Sequence, residues 1–435
     1  MRGVHLPLAP PRALPHSRRM TTKPHTRSAP MALQGGAAPA ASLPSSALAF
    51  ARTEYHERLA AVRASMEEKG LEVLVISDPS NMNWLTGYDG WSFYVHQAVI
   101  VSMKDDPVWW GRGMDAAGAR RTVWMSQDHI FGYEDWLVQN PDAHPMTVLA
   151  QLVSDSGHGA SRIGVELDNY YYSAAAHLAL TAGLPDADVA DATGLVNWCR
   201  AVKSPAEISY MRRAGEIVTE MHRVIAEVAE PGMQKNALVA EILKAGALGT
   251  RGAWGDYPAI VPMTPSGMDA TAPHLTWDGA PILRGTPTFF EIAGCHRRYH
   301  CPQSRTLFFG EPPNKYRKAE EALMAATAAV MGAARPGATC AEVALSFTQT
   351  LNRYGFEKNS RCGYSVGLSY PPDWGERTMS LREGDETELE AGMVFHFMPG
   401  LWLDDGGIEL TETMLINEVS AEYLATTPPG LVVKP

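Results

Sequence analysis

The sequence predicts a mixed α/β (α+β) protein built as two domains, and three observations lead there. The chain has 435 residues with 45% hydrophobic content, enough for a large buried core and a size that divides more readily into two domains than one. Both halves alternate apolar residues at 3–4 spacing with short β-branched runs, so each mixes helices and strands. In mid-chain, Lys203-Ser204-Pro205 is a helix-start signal that opens a second such succession. The expected segments are 1–50, a disordered tail or mis-assigned start; 51–203, an N-terminal α/β domain; and 204–435, a C-terminal domain.

The tail is set apart by composition. It has no Asp or Glu before Glu54, six Lys/Arg in the first 30 residues, and scattered prolines that prevent an apolar face. Arg-rich, acid-poor composition suits a transit peptide, but Pro7, Pro10, Pro11, Pro15, Pro24 and Pro30 oppose the amphipathic helix such a peptide needs. An over-extended start, with Met20 or Met31 as initiator, is the preferred reading.

Folded sequence begins near Arg52. Tyr55, Leu59, Val62 and Met66 have helical spacing that ends at Gly70, and Leu71 to Ser77 reads as a buried strand closed by Asp78-Pro79. Strands follow at Ala98 to Ser102, Pro107 to Trp110 and Arg162 to Glu166, with a helix around Ser173 to Leu180. After Pro205 a long helix is marked by Ile208, Met211, Gly215, Val218, Met221, Ile225 and Val228, stopping at Pro231-Gly232. The remainder predicts a helix from Lys318 to Ala334 and strands at Thr288 to Ile292, Thr306 to Phe309, Met393 to Phe397 and Thr413 to Ile416.

Several function classes are disfavoured. A net charge of −11 with no basic cluster in the folded part opposes nucleic-acid binding. The apolar runs are far shorter than the ~20 residues needed to cross a bilayer, so a soluble protein is expected, with no membrane partner. Five widely spaced cysteines without a C-x-x-C indicate neither a disulfide framework nor a zinc knuckle, and fit a reducing cytoplasm. Cys295 and Cys301 flank Glu291, but buried, inert thiols are expected there rather than nucleophiles.

Three stretches carry a family resemblance: Asn81-Met82-Asn83-Trp84-Leu85-Thr86-Gly87-Tyr88, the linker Arg200-Ala201-Val202-Lys203-Ser204-Pro205-Ala206-Glu207-Ile208, and Ser304-Arg305-Thr306. Over residues 52–435 the chain resembles the creatinase/prolidase family, which implies a C-terminal domain of the pita-bread fold. Metallopeptidases of that family hold two metal ions with five ligands. The resemblance places those positions on Glu291, Pro302, Tyr364, Met398 and Thr411, with a one-residue slip putting Glu412 in the last place. Two carboxylates at most replace a five-ligand cage, whereas a catalytic divalent ion needs three or more oxygen or nitrogen ligands. No metal and no other cofactor is expected.

Metal-free chemistry suits a particular substrate. A peptide carbonyl needs polarisation before water attacks, whereas a protonated amidine already has an electrophilic carbon. Glu291 could bind such a cation and attack it as a covalent nucleophile, opening a cyclic amidine. The resemblance places on His274, in Ala272-Pro273-His274-Leu275, the proton-transferring histidine of the family's amidine-cleaving member. Glu291 could instead be structural, paired to Arg305 or Arg298. Tyr88, Trp91, Phe93 and Tyr94 form an aromatic group suited to an organic cation. In the family the N-terminal domain of one subunit completes its neighbour's site, which implies a homodimer and would place Trp91 and Phe93 in the neighbour's pocket. Tyr364, His396, Glu409, Glu412 and Trp374 are further candidates to line the pocket, since they occupy or adjoin vacated ligand positions. The partner of a substrate carboxylate stays open among Arg298, Arg305 and backbone donors. A separate deacetylase is a conceivable partner, to finish degradation of the acylated product. The alternatives are a metal-dependent dipeptidase or lyase of the same fold, or a non-catalytic protein that only binds the ligand.

Overall fold

A computed structural model describes residues 48–435. The basic tail and its candidate initiators Met20 and Met31 lie outside the described residues. The first helix, Arg52–Glu68, buries Tyr55, Leu59, Val62 and Met66 as their spacing requires, and stops at Gly70, whose φ of 65° favours glycine.

The N-terminal sheet has six strands: β1 Val73–Ile76, β2 Ala98–Ser102, β3 Val108–Arg112, β4 Ile130–Tyr133, β5 Arg162–Val165 and β6 Asp188–Asp191, in the order β4-β3-β2-β1-β5-β6. β1 is buried throughout and central, as its uninterrupted apolar run predicts. β4 and β6 were not anticipated. β4 is interrupted by Gly132 and β6 begins and ends on Asp188 and Asp191, so neither carries a strong strand pattern.

The Asn81–Tyr88 stretch is mostly a helix, Pro79–Thr86, capped by the Asp78 side chain, which accepts from the Ser80 amide at 2.7 Å. All eight of its residues are buried. Asn81 Nδ2 donates to Glu166 at 2.6 Å and to Asn197 at 2.9 Å, and Arg200 donates back to Asn81 Oδ1 at 2.8 Å. This motif therefore joins the N-terminal half to the linker.

The linker is anchored electrostatically. Lys203 Nζ lies 2.5 Å from one oxygen of Glu376 and Arg200 Nη2 3.3 Å from the other, with all three side chains buried. Ser204 and Glu207 then form a reciprocal capping box that starts the helix Pro205–Val228. Glu207 also accepts from Trp84 Nε1 at 3.0 Å and from the Tyr299 hydroxyl at 2.7 Å, binding both halves to that helix start.

The C-terminal half contains β7 Thr288–His296, β8 Tyr299–Phe309, β9 Gly363–Val366, β10 Gly375–Leu381, β11 Val394–Phe397, β12 Gly400–Leu403, β13 Gly406–Glu409, β14 Glu412–Ile416, β15 Ala421–Tyr423 and β16 Val432–Lys434. They form three sheets, β10-β9-β11-β14-β15, β16-β8-β7 and the pair β12-β13. Helices Lys235–Leu248, Asn314–Ala333 and Cys340–Arg353 join Pro205–Val228 around them. β7 and β8 form a long antiparallel hairpin in which every strand residue is buried. Helix Pro205–Val228 approaches this hairpin so closely that a Cβ on Gly294 would fall 2.1 Å from the Ala214 carbonyl oxygen. Only glycine permits that approach, and it presses β7 into the position from which Glu291 projects.

Candidate active site

Glu291 sits in mid-β7 and is paired across the hairpin with Ser304 of β8. The residue is buried, 8% exposed. Ser304 donates to Glu409 Oε2 at 3.0 Å, which ties the end of β13 to the same hairpin, and Thr306 Oγ1 fixes the Glu409 backbone by accepting from its amide at 2.8 Å. The result is two buried carboxyls close enough to repel. Burial and then the charge of Glu409 hold the Glu291 carboxyl well above the usual carboxylate range. Glu409 is pushed up to about 7 by burial, against the opposing pull of the Ser304 hydrogen bond and Lys358. In the free site, one proton is readily kept between the two carboxyls near neutral pH.

Beside them His396 of β11 is fully enclosed, opposite Tyr364 of β9. Its Nδ1 lies 3.1 Å from the Tyr364 hydroxyl and its Nε2 3.0 Å from Thr411 Oγ1. Tyr364 in turn accepts from Trp374 Nε1 at 2.7 Å. Burial, with Arg361 adding to it, pushes the imidazole down to about 3, so the ring is neutral. Its Nδ1 stands 4.0 Å from Glu291 Oε1. Trp374, also fully buried, reaches this group by holding the Tyr364 phenol and by packing edge-on to the His396 ring at 5.9 Å.

The donor set does not fit a metal pair. Tyr364 and Thr411 are spent on His396, the Pro302 carbonyl accepts from Thr413 at 2.7 Å, and Met398 offers a thioether. Among the described residues, no three His, Cys, Asp or Glu side chains converge to hold an ion. The slipped alternative is not the one the fold adopts. Thr411 faces His396, while Glu412 turns to Arg305 at 2.5 Å and Gln303 at 2.6 Å.

Neither arginine proposed as a partner for Glu291 or for a substrate carboxylate is paired with Glu291, although Arg298 keeps a buried Nη1 without a hydrogen-bond partner among the described residues. Arg305 spends its remaining donors on the carbonyls of Ser304, Thr411, Thr427 and Pro428. Arg298 pairs with Asp89 at 3.0 Å and stacks 3.8 Å over Tyr257. The structural alternative for Glu291, an ion pair to either arginine, is therefore corrected. Cys295 and Cys301 are buried on this hairpin, with burial pushing the Cys301 thiol up to about 12 and that of Cys295 well above its ordinary value.

The aromatic group divides by function. Tyr88 is buried and bonded to Ser92 and Gln97, a strut of its own loop. Trp91 stacks edge-on to Tyr257 at 4.6 Å, and Phe93 meets Tyr171 and Tyr370. Tyr94 diverges from them, 65% exposed and 3.5 Å from Arg112. His274 is exposed in the coil after the turn Gly267–Thr271, a turn that packs against β7 and β13, and it makes no hydrogen bond to a described residue. The structure brings Glu291, Glu409, His396, Tyr364 and Thr411 together, with Trp374 behind them; it does not bring His274 or Tyr94 into contact with that group. Ser304, Lys358 and Arg361 were missed as site residues. Their one sequence signal is position, Ser304 two residues after Pro302 and the other two just ahead of Tyr364.

A buried carboxylate, a neutral hydrogen-bonded histidine and vacated ligand positions on paired sheets define a metallopeptidase-like scaffold. Residues 58–202 match the creatinase/prolidase N-terminal domain and residues 209–418 match metallopeptidase family M24. The chain belongs to this creatinase/prolidase family, and its C-terminal half has the pita-bread fold. Among relatives, the ectoine hydrolase of Halomonas elongata is 55% identical over 398 residues, spanning 89% of this chain and 99% of that one. The Xaa-Pro dipeptidase of Lactobacillus delbrueckii subsp. lactis is 23% identical over 85% of this chain and 97% of its own. A prolidase structure from Thermococcus sibiricus superposes with a TM-score of 0.76 at 17% identity, covering 87% of this chain and 99% of that one. Among the described residues no helix is long and apolar enough to cross a membrane.

Proposed function

We propose that this protein is a hydrolase that opens the cyclic amidine ring of ectoine, and takes hydroxyectoine where the pocket allows, releasing N-acetyl-L-2,4-diaminobutyrate without a metal. One observation carries the reading: Glu291 is kept and buried where a metallopeptidase would bind its ions, while its fellow ligand positions hold side chains that cannot. The 55% identity to an ectoine hydrolase supports the choice of substrate.

The chemistry follows from charge. The substrate ring is an amidinium that also bears a carboxylate. When it enters, its positive charge offsets the repulsion between Glu291 and Glu409 and favours ionised Glu291, leaving the shared proton on Glu409. An Oε atom of Glu291 adds to the amidine carbon. The ring C–N bond then breaks, its electron pair stays on nitrogen, and that nitrogen takes a proton and leaves as an amine. Water attacks the same carbon, its oxygen becoming the amide carbonyl, and Glu291 is released as carboxylate. Amidinium and one water become one amide and one ammonium, so no net proton is consumed.

His396, held neutral between two hydroxyls, stands beside the Glu291 carboxyl without supplying a competing cation. His274, exposed near the turn that packs on β7 and β13, carries protons between the site and solvent. The half-exposed Trp91 and exposed Tyr94 suit a homodimer in which the 88–97 loop reaches the neighbour's pocket. Cytoplasmic location and a deacetylase acting on the product complete the reading. The test is incubation of metal-stripped protein with ectoine, followed by mass analysis of solution and protein. A product one water heavier and a transient protein adduct are expected; bound ligand without product would make this a binding protein instead.

A further inference from the structure

A neutral imidazole carries its proton on one nitrogen only, and for His396 the choice matters to Glu291. Nδ1 is the nitrogen that stands 4.0 Å from Glu291 Oε1, so a proton there would offer the carboxyl a donor, whereas a bare Nδ1 offers only a lone pair. Both nitrogens face hydroxyls, Nδ1 that of Tyr364 at 3.1 Å and Nε2 that of Thr411 at 3.0 Å. A hydroxyl both gives and accepts, so these two contacts alone allow either order.

A third contact decides between them. Trp374 Nε1 lies 2.7 Å from the Tyr364 hydroxyl oxygen, and an indole N–H only donates. The phenol oxygen is therefore already an acceptor. If His396 Nδ1–H donated to it as well, two donors would crowd one oxygen and the phenol's own hydrogen would be left without a partner among the described residues. In the opposite order Tyr364 O–H donates to Nδ1 and His396 Nε2–H donates to Thr411 Oγ1. The hydrogen left over then belongs to Thr411, whose aliphatic hydroxyl is a weaker donor than a phenol. Burial and then the charge of Glu291 hold the Tyr364 phenol well above its ordinary value, so it keeps a proton to give.

Trp374 is held firmly enough to impose this order. Its side chain is fully enclosed, its ring packs edge-on to His396, and its carbonyl accepts from Ser369 Oγ at 3.0 Å. The segment 367–374 that carries it, between β9 and β10, is tied down from three sides. The Ser369 amide donates to the Arg298 carbonyl at 3.0 Å, Arg200 donates to the Leu368 carbonyl at 2.5 Å, and the Tyr370 hydroxyl donates to Asp89 at 2.7 Å.

We propose that Trp374 is a positioning residue that sets the tautomer of His396 through Tyr364, with the proton on Nε2 and a bare Nδ1 toward Glu291. The consequence for catalysis rests on the ring-opening reading and deepens it. A bare Nδ1 gives no hydrogen bond to ionised Glu291, so the carboxylate's electron pairs stay free for the amidine carbon. A donor in that place would stabilise the resting nucleophile more than the transition state and slow the attack.

The test is magnetic resonance of the full-length protein with its histidines isotope-labelled at Nδ1 alone, since bare and protonated ring nitrogens resonate far apart. The His396 signal among the 14 histidines is found by difference from His396→Gln. In ligand-free wild type near neutral pH it should be that of a bare Nδ1. Tyr364→Phe removes the donor and Trp374→Phe removes the group that orders it, so each should bring up the signal of a protonated Nδ1. In both, kcat should fall roughly 10–100-fold, the worth of one hydrogen bond to a charged group, with less change in KM. A protonated Nδ1 in wild type would overturn the proposal whatever the variants do. A bare Nδ1 in both variants would overturn it too, even with turnover reduced, because the loss would then come from packing alone. Normal turnover with Nδ1 protonated would overturn the role in catalysis. The expected signals in a protein that never opens the ring would remove the hydrolase reading and leave the tautomer assignment standing.

Discussion

Nδ1 of His396 stands 4.0 Å from Oε1 of Glu291, yet the two do not form an ion pair near neutral pH. Burial and the charge of Arg361 push the imidazole down to about 3, and its two nitrogens face the hydroxyls of Tyr364 and Thr411. Glu291 thus has no cation paired with it among the described residues, and burial with the charge of Glu409 holds its proton.

Replacing Glu291 by glutamine should cut turnover on the order of a thousandfold or more, because only binding and electrostatic effects then remain. The amide matches the buried carboxyl in shape, so the melting temperature should stay within a few degrees. Acid-quenched wild type should carry a substrate adduct on the peptide containing Glu291 and the variant should not. Near-normal turnover of the variant would remove Glu291 as nucleophile.

Chelator treatment should leave activity intact, and added manganese, cobalt or zinc should not raise it. Elemental analysis should find well under one metal per chain. Loss of activity on chelation, restored by one of these ions, would return the protein to the metal-dependent chemistry of its dipeptidase relatives.

The Glu409 carboxyl makes a pH-dependent contribution whose sign is opposite to that of a salt-bridged acid. Its folded-state value is raised from 4.5 to about 7, so the folded state holds the proton more tightly. That stabilisation is full below pH 4.5 and is lost as pH rises through about 7. Urea unfolding of wild type and Glu409→Gln should therefore diverge across this window by up to about 3 kcal/mol, at 1.36 kcal/mol per pH unit. Above pH 8 the difference should be flat. Comparing the two proteins cancels the buried histidines, whose lowered values act in the opposite direction. A constant difference from pH 4.5 to 8 would contradict the assigned burial of Glu409.

Glu376→Ala should destabilise the protein by about 3–5 kcal/mol, because it strands the buried charges of Lys203 and Arg200. Adding Lys203→Met should recover part of the loss. A double variant no more stable than the single one would show that Lys203 is not the charge left stranded.

Much of the scaffold was legible from local pattern. The helix Pro205–Val228 follows from Ser204, Pro205, Glu207 and its apolar spacing, and the first helix from Tyr55, Leu59, Val62 and Met66. The helices Lys235–Leu248 and Cys340–Arg353 were not identified. Nor were β12 and β13, whose four residues each leave little periodicity to detect and include Gly400, Gly406 and Gly407. Glu291 was singled out through family resemblance. Arg305 and Arg298 were offered as its partners, but their own partners Glu412 and Asp89 lie 107 and 209 positions away along the chain.

The sequence by itself determined which side chains occupy the old ligand positions, and that alone argues against a five-ligand metal cage. Tertiary structure decided what state those side chains are in. Protonation depends on burial and on charges brought together from distant segments, such as Glu291 with Glu409, or Arg361 with His396, and no local pattern encodes such distances.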